Sequence, residues 1–105
     1  MSEPCLFCRI IRGEIPASRV GETGRTLAIL DAFPASEGHV LILTKEHHEL
    51  LHQVPAETLA ALAAEAGRLS RLLVERLGVK DYNLVQNNGA AAGQAVPHAH
   101  WHLIP

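Results

Sequence analysis

The sequence predicts an α+β fold: a mostly antiparallel sheet of about five strands, with one long and one short helix. Three observations carry this. A helical pattern runs through Ala56–Leu77 with no breaker except Gly67. Short β-prone runs stand both before and after it. Helices and strands do not alternate one for one, which is the pattern a parallel sheet requires.

Each element has its own signals. Residues 5–12 suit a short helix, because Leu6 with Ile10 and Phe7 with Ile11 are i,i+4 pairs, and Gly13 follows as a stop. Ser18 to Glu22 is a short strand, and Gly24 turns the chain into the apolar strand Thr26–Leu30, which ends at Asp31. Phe33 to Gly38 is loop chemistry. His39 to Thr44 is strongly β-prone. Pro55 sits well at or near the first turn of the long helix. In that helix Leu59, Leu62, Ala66, Leu69 and Leu73 step by three and four along one face. Gly78 is a good terminator. At ~1.5 Å per residue the helix is ~33 Å long, about the width of a small domain. Leu72 and Leu77 widen its apolar stripe toward another subunit. Tyr82 to Gln86 is a strand, Asn87 to Gln94 a glycine-bounded loop, and Val96 to Ile104 the last strand. An open sheet edge has to be paired or covered, and dimerisation does this.

Composition narrows the function. The chain has 105 residues, enough for one domain, read as residues 1–105. It is 48% hydrophobic and 19% charged, which excludes a disordered chain. Nine basic against eleven acidic residues give a net charge of -2, which argues against a nucleic-acid partner. No apolar run approaches the ~20 residues of a membrane span. Met1-Ser2-Glu3-Pro4 has neither a basic nor an apolar region, so no secretory signal is expected. A cytoplasmic protein is the expectation. Cys5 and Cys8 are too few for a disulfide scaffold.

Histidine is the outlier: the chain has seven, and three fall within five residues. His98, His100 and His102 alternate with Ala99, Trp101 and Leu103. In a strand this places the imidazoles on one face, with ~6.6–6.8 Å of rise between successive ones, and the apolar residues on the other. Three readings follow. The face is merely solvated; or the histidines hold a catalytic zinc with an open position; or a neutral ring attacks a substrate while its neighbours donate to it. Asp31 is either a turn residue or a ligand-binding carboxylate. Cys5-x-x-Cys8 is a redox pair, two buried thiols, or half of a Cys₂His₂ zinc site. The redox reading wants a preceding strand and a helix terminus that the sequence does not signal. His48 is a weaker ligand candidate than its neighbour, and His39 and His52 read as surface or structural.

His98-Ala99-His100-Trp101-His102-Leu103-Ile104 resembles the signature of the histidine triad (HIT) family. The likeness extends, in order, through Cys5 to Pro16, Leu30-Asp31, Gly38 to Ile42, Lys45-Glu46-His47, Asn87-Asn88-Gly89 and Gly93-Gln94. The branch resembled is Hint-like, as in bacterial members. The resemblance implies the HIT fold. It also implies a nucleotidyl hydrolase or transferase acting on purine nucleoside phosphoramidates or dinucleoside polyphosphates. Alternatives are a nucleotide-binding regulatory module with little turnover and a zinc-dependent hydrolase.

By the same resemblance, His100 attacks the α-phosphorus and forms a nucleotidyl-histidine. The carbonyl of His98 orients it, and His102 donates to phosphate or to the leaving group. Asp31 takes the ribose hydroxyls. Asn87 and the backbone of Gly93, Gln94 and Ala95 face the phosphates. Leu6, Phe7, Ile10 and Ile29 fall where the family builds its purine pocket. Cys5, Cys8, His47 and His98 match a structural zinc site. A homodimer is implied. One departure stands out: Ala95 occupies a position where Hint-like hydrolases usually carry a phosphate-contacting serine.

Overall fold

Strands β1 (Arg19–Glu22), β2 (Thr26–Leu30), β3 (Val40–Thr44), β4 (Asn83–Val85) and β5 (His100–Ile104) form one sheet in the order β1-β2-β3-β5-β4. Every neighbouring pair is antiparallel. The computed structural model describes residues 5–105. Met1–Pro4, read above for targeting chemistry, lie outside them.

The sheet is covered on both faces, by different helices. Helix α2 (Ala56–Leu77) packs its Leu62, Ala66, Leu69 and Leu73 stripe against Ala28, Val40, Ile42, Ala99 and Leu103. Helix α1 (Leu6–Ile11) buries Phe7 and Ile10 with Leu27, Ile29, Leu41 and Leu43 on the other face. Alternate residues of β2 and β3 therefore belong to opposite cores. This double cover explains why β3 reads Val-Leu-Ile-Leu with no polar alternation: all five of its residues are buried.

Register places the histidines. His100 pairs with Leu43 and His102 with Leu41, so both rings emerge on the α1 face. Trp101 and Leu103 pair with Ile42 and Val40 and face α2.

The long helix has the bounds the sequence predicts. Pro55 is its N-cap, and Gly78 ends it in the left-handed region at φ 68°. The Val79 N–H closes back on the Leu73 carbonyl at 3.1 Å, a Schellman arrangement. The last strand differs. It begins at His100 rather than Val96. Pro97 has no N–H to give a ladder, and the chain bends sharply, with the His98 N–H on the Val96 carbonyl at 2.8 Å. His98 thus precedes the strand. No helix among the described residues is long and apolar enough to cross a membrane.

Candidate active site

His100 opens β5 and is 6% exposed. Its Nδ1 lies 2.6 Å from the His98 carbonyl oxygen. A carbonyl only accepts, so Nδ1 carries the proton and Nε2 keeps a bare lone pair. Burial pushes the ring's pKa below the usual imidazole range, against the opposing pull of that hydrogen bond and of the Asp31 charge. Phe7 meets the ring edge-on, with centroids 4.9 Å apart.

His102 lies beside it, ring centroids 4.8 Å apart. Its partner is a residue the sequence reading set aside as surface or structural. His39 is 5% exposed, and its Nε2 lies 3.0 Å from His102 Nδ1. The tautomers follow from one backbone amide. The Ala35 N–H donates to His39 Nδ1 at 3.1 Å, so that nitrogen is bare and Nε2 holds the proton. His39 therefore donates to His102 Nδ1, and the proton of His102 sits on Nε2. Asp31 Oδ2 stands 3.5 Å from His39 Nε2, and its Oδ1 accepts the Phe33 N–H at 2.9 Å. Asp31, His39 and His102 bring their donor atoms within 4.8 Å of one another. The proton on His39 Nε2 makes this cluster a hydrogen-bond chain and not a metal cage. Burial first, then the neighbouring His100 and His39, lower the pKa of His102 to about 4.

The three signature rings do not converge on one point. His98 turns away from His102, toward the cysteines. Its Nε2–H donates to the Thr44 carbonyl at 2.6 Å, which leaves Nδ1 bare. That nitrogen lies 3.3 Å from Cys5 Sγ, 3.6 Å from Cys8 Sγ and 3.2 Å from His47 Nδ1. Cys8 Sγ is 3.3 Å from His47 Nδ1. A zinc ion with bonds of ~2.0–2.3 Å needs tetrahedral edges of roughly 3.3–3.8 Å. The four printed edges lie at or close to that range, and all four donor atoms stand within 4.8 Å of one another, so the set fits such an ion. The reading with all three signature histidines on one catalytic zinc does not fit these directions. His48, the weaker candidate, stays out of the cluster, and its Nε2 is buried with no hydrogen-bond partner. Contrary to the sequence expectation, a helix terminus does accompany the cysteine pair: Cys5 is the N-cap of α1 and accepts the Cys8 N–H.

The loop between β4 and β5 is closed on itself. Gly89 and Gly93 both stand at φ 94°, a region that favours glycine. The N–H groups of Gly93 and Gln94 donate to the carbonyls of Ala90 and Gly89 at 3.0 and 3.1 Å. Both N–H groups thus have a partner within the loop. The Ala95 N–H has no protein partner among the described residues, and Ala95 is exposed. Gln86 takes the Trp101 indole N–H at 2.7 Å, and Asn88 takes the Leu51 N–H at 2.7 Å. Asn87, between them, makes among the described residues a long contact from Nδ2 to the Gly93 carbonyl, 3.4 Å.

A model of the HIT domain family matches residues 12–105. The chain belongs to the HIT family. It is 42% identical over 105 residues to an adenylylsulfatase of Arabidopsis thaliana, covering 100% of this chain and 53% of that protein. It is 40% identical over 101 residues to an adenosine 5'-monophosphoramidase of Schizosaccharomyces pombe, covering 96% of this chain and 73% of that one. Among solved structures, a zinc-bound histidine triad family protein from Mycobacterium smegmatis superposes with a TM-score of 0.91 at 40% identity, over 96% of this chain and 73% of that one. A HIT family protein from Bacillus anthracis gives 0.95 at 33% identity, over 100% and 74%.

In this HIT domain, Phe7, Ile10 and Ile29 are buried members of the α1-side core, while Leu6 is exposed. His39 is the site residue that the sequence reading missed. Its signal was its place immediately before β3, opposite the end of the histidine strand.

Proposed function

We propose that this HIT domain transfers the nucleotidyl group of purine nucleoside phosphoramidates or dinucleoside polyphosphates to water or another acceptor, through a covalent intermediate on His100. The His100 Nε2 lone pair attacks the α-phosphorus and the bond to the leaving group breaks. The His102 Nε2–H donates a hydrogen bond to the leaving nitrogen or oxygen, which takes its proton from solvent. Water then attacks phosphorus and gives its proton to solvent, and His100 leaves as the neutral ring. Two displacements replace one difficult one. Asp31 receives the ribose hydroxyls, and Asn87 and the Ala95 N–H face the phosphate. Leu6 offers apolar surface to the base, with Phe7, Ile10 and Ile29 behind it.

The observation that supports this most is the 2.6 Å contact from His100 Nδ1 to the His98 carbonyl, which leaves one bare nitrogen beside a proton-bearing neighbour. The names of the plant and yeast relatives, hydrolases of adenylyl compounds, agree with it.

Cys5, Cys8, His47 and His98 are assigned to a structural zinc. When bound, the ion supplies a fixed joint between α1 and the entry to β5. Its reduced thiols suit a reducing compartment such as the cytoplasm. Residues 1–105 are read as one domain, and a second copy of the chain is read as covering the apolar edge at Val74, Leu77, Tyr82 and Leu84, all exposed here.

The test is AMP release from an adenosine phosphoramidate. The wild type turns over, and His100→Ala loses at least about a thousandfold in rate. Equal rates would remove His100 from the chemistry.

A further inference from the structure

We propose that the Gln94 side chain is a positioning residue that sets the phosphate-facing loop, and that it makes no substrate contact of its own. The inference rests on the nucleotide site proposed above and deepens it.

The Gln94 amide is fully engaged inside the protein. Its Oε1 accepts the Gly89 N–H at 2.7 Å. Its Nε2 donates to the Glu49 carbonyl at 2.9 Å and to the Val96 carbonyl at 3.1 Å. The Gln94 backbone N–H also donates to the Gly89 carbonyl at 3.1 Å. Gly89 is thus held at both its N–H and its carbonyl by one residue, and Val96 is held at the loop's other end. The free Ala95 N–H lies between these two anchored points. Its direction is fixed by the peptide on either side of it.

The bond to the Glu49 carbonyl ties the loop to a neighbouring segment with other duties. His47 belongs to the Cys/His cluster. The His48 carbonyl takes the Ala99 N–H at 2.6 Å, between His98 and His100. The Glu49 carbonyl takes Gln94. The Leu51 N–H donates to Asn88 at 2.7 Å. One short segment therefore braces the metal corner, the approach to β5 and the loop together.

The bond pattern demands an amide of this length. Alanine loses all three bonds. Glutamate keeps the acceptor for Gly89 but loses both donors and sets a carboxylate against two carbonyl oxygens. Asparagine is one methylene short.

Calorimetry of AMP and of adenosine, on the metal-replete protein as purified, separates phosphate orientation from general scaffolding. In Gln94→Ala, AMP affinity falls about tenfold, and in Gln94→Glu by at least as much. Adenosine affinity stays within about twofold in both, because adenosine carries no phosphate. Unchanged AMP affinity in both variants overturns the proposal. So does an equal loss for AMP and adenosine, which would mark a general scaffold residue. A Gln94→Glu protein that binds like wild type overturns it too, since the donors would then be idle. A wild type that binds neither ligand refutes the nucleotide reading itself, and the brace with it. One measurement needs no variant: the Gly89 amide of the wild type exchanges slowly with solvent, and unprotected exchange would contradict the brace.

Discussion

A carbonyl oxygen has no proton to give, and the chemistry of His100 follows from that. The His98 carbonyl fixes one tautomer and the Ala35 amide fixes another, two rings away, so each nitrogen of His100, His102 and His39 has a defined role. Removing His39 leaves His102 Nδ1 without its donor and frees the ring to hold its proton on the wrong side. His39→Ala is expected to slow AMP release by about a hundredfold in single-turnover measurements; an unchanged rate would show that the chain of rings is ornamental. His102 also leaves a mark on stability. Its pKa falls from 6.5 to about 4 on folding, through burial and the neighbouring His100 and His39, with Asp31 opposing. Between those values the unfolded chain binds a proton there and the folded chain does not. Stability is full above 6.5 and declines as pH falls toward about 4. Denaturant midpoints across that window show this slope in wild type and a shallower one in His102→Gln. The signature histidines were legible in sequence because period two is a strand's own signal. His39 was not, because its partner lies 63 positions away and no local pattern joins them.

At the scale of elements, α1 and the bend before β5 meet at the Cys/His cluster. Phe7 is carried on α1 between the two cysteines and touches both His98 and His100, at centroid distances of 5.8 and 4.9 Å. Holding α1 in place therefore holds the edge of the His100 ring. Chelation is expected to lower the melting temperature and the rate of AMP release together, with zinc restoring both. A chelated protein that melts and reacts as before would dissociate the metal from the fold. The elements differed in how plainly they could be read. The long helix announced itself through an apolar stripe, Pro55 and Gly78. The last strand was read four residues too long, because alternation continued through Val96–Ala99 while Pro97 broke the ladder. Cysteine spacing alone names two of the cluster's residues, and the family resemblance adds His47 and His98; the fold is what turns His98 toward the cysteines and leaves His48 out.

Across the whole molecule, both faces of the sheet are covered, while the edge strands β1 and β4 each have one neighbour in the sheet. Strand β4 is the last in the sheet order; its Leu84 is 51% exposed, and Leu77 at the end of α2 is 66% exposed. Such a combination of free ladder groups and apolar surface favours a second copy. Sedimentation is expected to give twice the 11.4 kDa chain mass, and Leu77→Lys with Leu84→Lys to shift the protein toward one chain; a wild-type monomer would sink the dimer. Fold class and the order of elements were open to sequence because they rest on periodicity and breakers. The loop's hydrogen-bond arrangement was not, since it depends on which amides the Gly89 and Gly93 conformations turn inward.

The proposed mechanism passes through a covalent bond between His100 and phosphorus. Rapid acid-free quenching of a reaction with an adenosine phosphoramidate, followed by peptide mass spectrometry, tests it directly. A single nucleotidyl group on the peptide bearing His100, absent in His100→Ala and lost on the timescale of turnover, is the predicted result. Full turnover with no adduct, and inversion at a chiral phosphorothioate substrate where two displacements give retention, would contradict it.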